Sequence, residues 1–310
     1  MTPDQYANKE FFIEVGHGHQ LYVHDWGNPK GLPIIFLHGG PGDAVKDPYK
    51  LNFNPAKHHV IFFDQRGCGK SLPTGSLKHN TTPELIEDIT KIADQVKFKQ
   101  FVLHGGSWGS CLALAYAVAH PKRVKALVIG GVFTGSRKEI EYFDTGEFAT
   151  FFPEAWERYL ATVPKSHRDH PTKYHYQRIL GTDETAVRQS AAAYHSLEGS
   201  LLALDDRYVG GANANDPMYD PSSARIEAHY LANDCFMPDN HIFDNARKLT
   251  MPIWMVQGRY DMVCPPVTAY NLHRKLPNSH LTWTIGGHRS SERETQSVVR
   301  TILAHLAEQY

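Results

Sequence analysis

Ser107 has neighbours that are typical of a nucleophilic serine. It lies between Gly105 and Gly109 in a G-x-S-x-G pattern, after the apolar run Phe101–Leu103 and before an alanine- and leucine-rich segment. A serine on a sharp strand-to-helix turn needs small neighbours, because the tight backbone leaves no room for larger side chains. The helix N-terminus that follows favours negative charge near the serine oxygen. This context predicts a reactive serine rather than a flexible glycine-rich loop.

Asp261 and His288 are the residues best placed to activate Ser107. A serine hydroxyl becomes nucleophilic when a histidine accepts its proton and a carboxylate orients that histidine. Asp261 follows the apolar segment Pro252–Gly258, and His288 follows the next one, His280–Ile285, after two glycines. Functional residues of open parallel sheets collect at the carboxyl ends of strands, and the chain order serine, acid, histidine fits such a sheet. We therefore predict these three residues as a catalytic triad.

A second glycine-rich segment follows another apolar run and has the sequence HGGPG at residues 38–42. Glycines allow a backbone to approach a ligand closely. An oxyanion is commonly held by two backbone N–H groups, one from such a loop and one from the residue after the nucleophile. We predict Gly40, with Gly39 beside it, and Trp108 as the oxyanion hole.

The segment Asp64–Ser71, with the sequence DQRGCGKS, allows two interpretations. Its glycines, lysine and serine are residue types found in phosphate-binding loops. However, the spacing G-x-x-x-x-G-K-[ST] of such a loop is absent. We interpret the segment as a structural loop that supports the floor of the active site.

A mostly parallel β-sheet is predicted to position these segments. Runs such as Ile34–Leu37 and Val60–Phe63 are apolar without alternation, which is typical of strands buried on both faces. Helical segments lie between the runs, so the predicted fold class is α/β, with a central sheet flanked by helices. The predicted strands are Leu21–Gly27, Pro33–Gly39, His59–Gln65, Phe101–Ser107, Ala126–Val132, Pro252–Gly258 and His280–Ile285.

The strand pattern stops between Phe133 and about Ala246, where helical pieces occur without a convincing buried strand. A helical insertion between two strands of one sheet is the simplest explanation. We predict a catalytic domain formed by residues 1–133 and 246–310, and a helical cap domain formed by residues 134–245.

The charge balance, the lengths of apolar runs and the cysteine spacing indicate which partners and which cellular compartment to expect. The chain of 310 residues has 32 basic and 33 acidic side chains, so it shows no electrostatic sign of nucleic-acid or membrane-surface binding. No apolar run approaches the ~18 residues of a membrane span, and Met1–Glu10 does not have the pattern of a signal peptide. The four cysteines lack disulfide or metal spacing, which favours free thiols in a reducing cytoplasm. They are Cys68, Cys111, Cys235 and Cys264.

Five motifs resemble those of the prolyl aminopeptidases, also called proline iminopeptidases, which have the α/β-hydrolase fold. They are HGGPG at 38–42, DQRGCGKS at 64–71, GGSWGS at 105–110, ARIEAHY at 224–230 and GRYDMVC at 258–264. The resemblance extends from about residue 10 to the C-terminus. It implies a serine exopeptidase that releases an N-terminal proline, or another small residue, from peptides through an acyl-enzyme. It also implies that no cofactor or metal is needed.

The resemblance extends to the predicted cap. It implies that Glu198 and Glu227 hold the free amine of the substrate, and that Phe133, Phe143 and Leu231 line the substrate pocket. Two carboxylates in a partly dry site repel each other, and a substrate ammonium relieves that repulsion through charge-assisted hydrogen bonds. A small peptide or aminoacyl compound is therefore the expected partner.

Two other functions stay open at this point. The family pattern has tryptophans near its first glutamate, where this chain has Tyr194 and Leu197. An altered pocket around the same triad would suit an amidase or esterase with another substrate preference. A non-catalytic binding protein of the same fold is the third alternative, and it ranks last because all three triad candidates are present. The sequence makes no prediction of the oligomeric state.

Overall fold

One eight-stranded β-sheet forms the centre of the computed structural model, which describes residues 3–204 and 212–310. Its strand order is β1-β2-β4-β3-β5-β6-β7-β8. β2 pairs antiparallel with both β1 and β4, whereas every other neighbouring pair is parallel. The predicted mostly parallel sheet is confirmed. The strands are β1 Ala7–Gly16, β2 His19–Gly27, β3 Leu32–Leu37, β4 His58–Phe63, β5 Phe101–Ser107, β6 Val124–Val132, β7 Ile253–Gly258 and β8 Ser279–Thr284.

Helices cover both faces of this sheet. Ile35 of β3 belongs to an apolar cluster that includes Leu85 of α2 and Leu112 of α3, whereas Ile34 belongs to another that includes Leu303 of α11. Successive strand residues therefore all meet apolar partners, which is why the inner strands are apolar without alternation. The described α-helices are α1 Asp47–Lys50, α2 Thr82–Gln95, α3 Trp108–Ala119, α4 Arg137–Thr145, α5 Pro153–Ala161, α6 Pro171–Ile179, α7 Glu184–Leu201, α8 Ser222–Leu231, α9 His241–Asp244, α10 Pro266–Lys275 and α11 Arg293–Gln309.

The strand β1 was missing from the prediction. It lies at the edge of the sheet, pairs with β2 alone, and leaves most of its side chains partly or fully exposed. Charged side chains such as Lys9 and Glu10 are common on edge strands, where they discourage pairing with other chains. Its alternating residues Phe11, Ile13 and Val15 pack against the apolar cluster under the sheet, but the exposed Phe12 interrupts the alternation of apolar and polar side chains in the sequence.

The helices α4 to α9 lie between β6 and β7, and we call them the cap helices. The described part of this region contains no β-strand. A third apolar cluster, separate from the two against the sheet, includes Phe143, Phe148, Tyr159 and Leu197 from these helices and the turns between them. Among all the helices described, none is at once long and apolar enough to cross a membrane.

Candidate active site

Ser107 is the last residue of β5 and immediately precedes α3. Its φ of 57° and ψ of −129° are rare for a residue with a side chain. A Cβ atom on Gly105 would lie 2.7 Å from the backbone of Gly109, and one on Gly109 would collide with the carbonyl oxygen of Leu37. Both glycines of the predicted turn are therefore required by space, and the turn has the strained geometry expected of a nucleophile.

Asp261 and His288 are in direct contact although 27 residues separate them. The Nδ1 atom of His288 lies 3.0 and 2.9 Å from the two carboxylate oxygens of Asp261. The same carboxylate accepts hydrogen bonds from the backbone N–H groups of Val263, at 3.0 Å, and Cys264, at 2.8 Å. A carboxylate partner places a proton on Nδ1, which leaves Nε2 of the neutral imidazole as an acceptor.

The imidazole of His288 lies beside Gly131 of β6, one residue before the partner of Ser107 in the sheet. A Cβ atom on Gly131 would lie only 3.0 Å from Cε1 of His288, so Gly131 in β6 leaves the room for the ring. The next residue of β6, Val132, pairs with Ser107. Three distant parts of the sequence thus meet at one edge of the sheet.

The charge on His288 is governed by opposing effects. Burial disfavours the imidazolium, but the Asp261 carboxylate, together with Glu198 and Glu292, raises the pKa of His288 above its ordinary value. The arrangement can therefore accept a proton and stabilise the resulting positive charge.

The predicted oxyanion residues also lie next to Ser107. Gly40, with a φ of 103°, lines the same cavity as Ser107. A Cβ atom on Gly39 would lie 3.5 Å from the Cβ of Ser107, an ordinary contact distance. Trp108 is the first residue of α3, and N–H groups in the first turn of a helix have no partner within the helix. The site thus brings together backbone segments that can bind a developing oxyanion.

The loop after β4 holds these two backbone segments together. The buried side chain of Gln65 accepts a hydrogen bond from the indole N–H of Trp108, at 2.8 Å, and donates one to the carbonyl of His38, at 3.0 Å. Its backbone N–H donates to Nε2 of His38, also at 3.0 Å. Burial lowers the pKa of His38, which keeps this ring neutral and able to accept. The loop therefore has the supporting position predicted for it.

Arg66 fixes the same loop to α2. Its guanidinium donates two hydrogen bonds to the carboxylate of Asp88, at 2.6 and 2.8 Å, and both side chains are buried. A two-pronged contact of this kind restrains both distance and orientation.

Gln257 is a site residue that the sequence analysis missed. Its side chain is fully buried in β7, and its carbonyl oxygen accepts the backbone N–H of Val132 at 2.8 Å. Its amide group donates to Asp261, at 3.0 Å, and to the carbonyl of Cys264, at 3.1 Å. These partners fix which end of the amide is oxygen. The available signal was a polar residue inside the apolar strand Ile253–Gly258, four positions before the acid.

A narrow cavity brings the predicted substrate-binding residues close to Ser107. All five of them line it: Phe133, Phe143, Glu198, Glu227 and Leu231. Six further lining residues, from α4, α6, α7 and the loop after β7, were not predicted. These are Glu139, Ile140, Tyr176, Tyr194, Val263 and Cys264.

The two glutamates give this cavity its electrostatic character. Burial raises the pKa of Glu227 well above its ordinary value, and the nearby Glu198 raises it further. Burial also raises the pKa of Glu198, against the opposing influence of His288. Two confined carboxyl groups that repel each other when charged form a site suited to a cation.

Comparison with known proteins gives the family. The sequence model of the alpha/beta hydrolase fold family matches residues 33–288. The proline iminopeptidase of Arabidopsis thaliana is 37% identical over 284 residues, which cover 90% of this chain and 75% of that protein. The probable proline iminopeptidase of Leptolyngbya boryana is 40% identical over 266 residues, covering 85% of this chain and 83% of the relative.

A solved structure supports the fold independently. The esterase of Exiguobacterium antarcticum superposes with a TM-score of 0.66 and covers 96% of this chain and 99% of its own. Only 19% of residues are identical, so this likeness speaks for the fold alone. The chain therefore belongs to the α/β hydrolase fold family and, within it, to the proline iminopeptidases.

Proposed function

We propose that this protein is a serine exopeptidase that releases an N-terminal proline from peptides through an acyl-enzyme. One observation carries the proposal: a single cavity is lined both by Ser107 and by the carboxyl groups of Glu198 and Glu227. The relatives named proline iminopeptidase make proline the first substrate to test.

The acylation step uses the triad. Nε2 of His288 takes the hydroxyl proton of Ser107 as its oxygen attacks the carbonyl carbon of the N-terminal proline. Asp261 orients the imidazole and stabilises its positive charge. His288 then gives the proton to the leaving nitrogen, the C–N bond breaks, and the shortened peptide departs.

The oxyanion hole and water complete the cycle. The N–H groups of Gly40 and Trp108 hold the negative oxygen of each tetrahedral intermediate. His288 next takes a proton from water, which attacks the acyl-enzyme, and returns a proton to Ser107 as free proline leaves.

The cavity explains why the enzyme would act only at the chain end. Glu198 and Glu227 bind the charged amine, and that charge is absent from an internal or N-blocked proline. Burying uncompensated carboxylates is costly, so the substrate amine relieves an unfavourable interaction as it binds. Phe133, Phe143 and Leu231 supply apolar contacts for the proline ring.

We also propose that the chain is divided into a catalytic domain and a cap. Residues 134–245 form the cap that closes over the site, and residues 1–133 with 246–310 form the catalytic domain. The separate apolar cluster among the cap helices supports this division. All four cysteines are free and buried, as is usual in a reducing compartment, so the proposal includes a cytoplasmic location. The near-equal numbers of basic and acidic side chains support a small peptide as the partner rather than nucleic acid or a membrane surface.

The nucleophile is tested with Ser107→Ala and the control Ser297→Ala, which changes an exposed serine on α11. We expect Ser107→Ala to abolish hydrolysis of proline p-nitroanilide and labelling by a fluorophosphonate probe, while its thermal unfolding matches wild type. The control should retain both reactions. Undiminished turnover in Ser107→Ala would disprove the assignment.

The substrate class is tested with anilides of proline, alanine and N-acetylproline. The free-amine proline compound should be cleaved fastest and the acetylated one slowest. Equal cleavage of the free and blocked forms would instead favour an amidase or esterase with the same triad.

A further inference from the structure

Tyr194 connects the two cap helices that carry the glutamates. It lies on α7 four residues before Glu198, and residues at this spacing share one face of a helix. Its side chain is only 2% exposed and lines the cavity that contains Ser107. Its hydroxyl donates a 3.1 Å hydrogen bond to Oε1 of Glu227 on α8. The Tyr194 side chain thus links α7, which also carries Glu198, to Glu227 on α8.

The hydroxyl of Tyr194 is itself held in place. The hydroxyl of Tyr176 donates to its oxygen at 3.3 Å, and donation of this kind strengthens the next bond in a chain. The Tyr194 ring packs against the rings of both Tyr176 and Phe143, with centroid distances of 5.5 and 6.1 Å. Because these contacts restrict the ring, the hydroxyl reaches Glu227 without a large loss of side-chain entropy.

We propose that Tyr194 is a positioning residue that sets the substrate preference for a free amine by holding Glu227 ready to bind it. The inference rests on the proposed function. By binding Oε1, Tyr194 fixes the carboxylate in one orientation and leaves Oε2 for the substrate ammonium. Tyr194 acts through Glu227 and needs no contact of its own with the reacting atoms.

The same hydrogen bond controls the charge of the acid. Burial and the neighbouring Glu198 raise the pKa of Glu227, and the hydroxyl of Tyr194 opposes them because it stabilises the carboxylate. Without the hydroxyl, Glu227 would be protonated over a wider pH range, and a neutral acid binds an ammonium weakly.

The test is Tyr194→Phe, which removes the hydroxyl and keeps the ring. A hydrogen bond to a charged group contributes about 1.5–3 kcal/mol, so we expect KM for proline p-nitroanilide to rise about tenfold or more. We expect kcat to change less than about threefold, because the triad is not touched. The matched control is Tyr159→Phe, which deletes a buried hydroxyl of the cap that does not line the cavity. Its KM should stay within about twofold of wild type.

Two readouts separate positioning from general damage to the cap. The rise in KM of Tyr194→Phe should grow as the pH is lowered, whereas a packing defect would raise KM by the same factor at every pH. In a Glu227→Gln background, adding Tyr194→Phe should have much less effect than in wild type, because the acid it positions is gone.

The outcomes distinguish this inference from the function on which it rests. If wild type does not prefer the free-amine anilide over the N-acetylated one, the proposed function itself fails. If wild type does prefer the free-amine anilide, two results would show that the inference about Tyr194 is wrong. One is a KM for Tyr194→Phe equal to that of wild type. The other is a Tyr194→Phe substitution that raises KM by the same factor in the Glu227→Gln background as in wild type.

Discussion

Replacing Gln257 with leucine should damage stability strongly and activity moderately. The substitution keeps a side chain of similar size but removes every hydrogen bond of a fully buried amide. Three partners are affected: the N–H of Val132, the carbonyl of Cys264 and the carboxylate of Asp261.

The losses of stability and of activity can be estimated from the hydrogen bonds that these three partners keep. A buried polar group that loses its hydrogen bond costs about 1–3 kcal/mol, so two backbone groups together lower the free energy of unfolding by about 2–6 kcal/mol. Asp261 keeps the N–H groups of Val263 and Cys264 and its contact with His288. We therefore expect kcat/KM to fall about 10- to 100-fold through misplacement, against about 10⁴-fold for Asp261→Asn, which disrupts the orientation of the histidine.

Gln257→Glu provides a matched variant whose stability should depend on pH. A protonated glutamic acid can still accept from Val132 and donate to Asp261 when the pH is low, although its single proton cannot also serve the carbonyl of Cys264. Burial beside Asp261 should raise its pKa above that in the unfolded chain. The folded state then binds more protons, and stability is lost as the pH rises through the folded pKa.

Urea unfolding and kcat/KM for proline p-nitroanilide, each measured at several pH values, give the required data. Gln257→Leu should lose about the same stability at each pH relative to wild type. The free energy of unfolding of Gln257→Glu should be closest to that of wild type at low pH and should decrease as the pH rises. The reasoning is refuted if Gln257→Leu is as stable as wild type, or if Gln257→Glu becomes more stable relative to wild type as the pH rises.

Two further predictions concern charged groups. Because the pKa values of Glu198 and Glu227 are raised, KM for proline p-nitroanilide should begin to rise on acidification at a pH above the ordinary glutamate value of 4.5. A KM that stays constant down to about pH 5 would contradict the role of this pair. Arg66→Met should lower the free energy of unfolding by about 3–5 kcal/mol, measured in urea, because it leaves the Asp88 carboxylate buried and unpaired. Arg66→Met combined with Asp88→Leu should recover part of this loss, and a double variant less stable than the single one would count against the explanation.

The strained turn at Ser107 could be predicted from the sequence because its signal is local. The turn at Ser107 requires a strand, two glycines at fixed positions and a helix within a short stretch of chain, and the same backbone sterics exclude other residues. Asp261 and His288 could be predicted because each follows a strand end. The parallel order of the sheet then carries such ends to the same edge.

Other features left weaker signals or none. The strand β1 has only a short alternation, Phe11, Ile13 and Val15, which the exposed Phe12 interrupts. Gln257 was visible as a polar residue in a buried strand, but only the packing of β7 against β6 shows that it joins Val132 to Asp261. Its importance lies in partners that sequence spacing does not identify.

The sequence by itself therefore determined that Ser107, Asp261 and His288 follow strand ends at one edge of the sheet, because steric and periodic rules act between residues close along the chain. Only the tertiary structure decided how the cavity is built, in which the hydroxyl of Tyr194 on α7 binds Glu227 on α8 beside Ser107. The relative placement of cap and sheet depends on long-range packing of side chains, and no local pattern of residues encodes it.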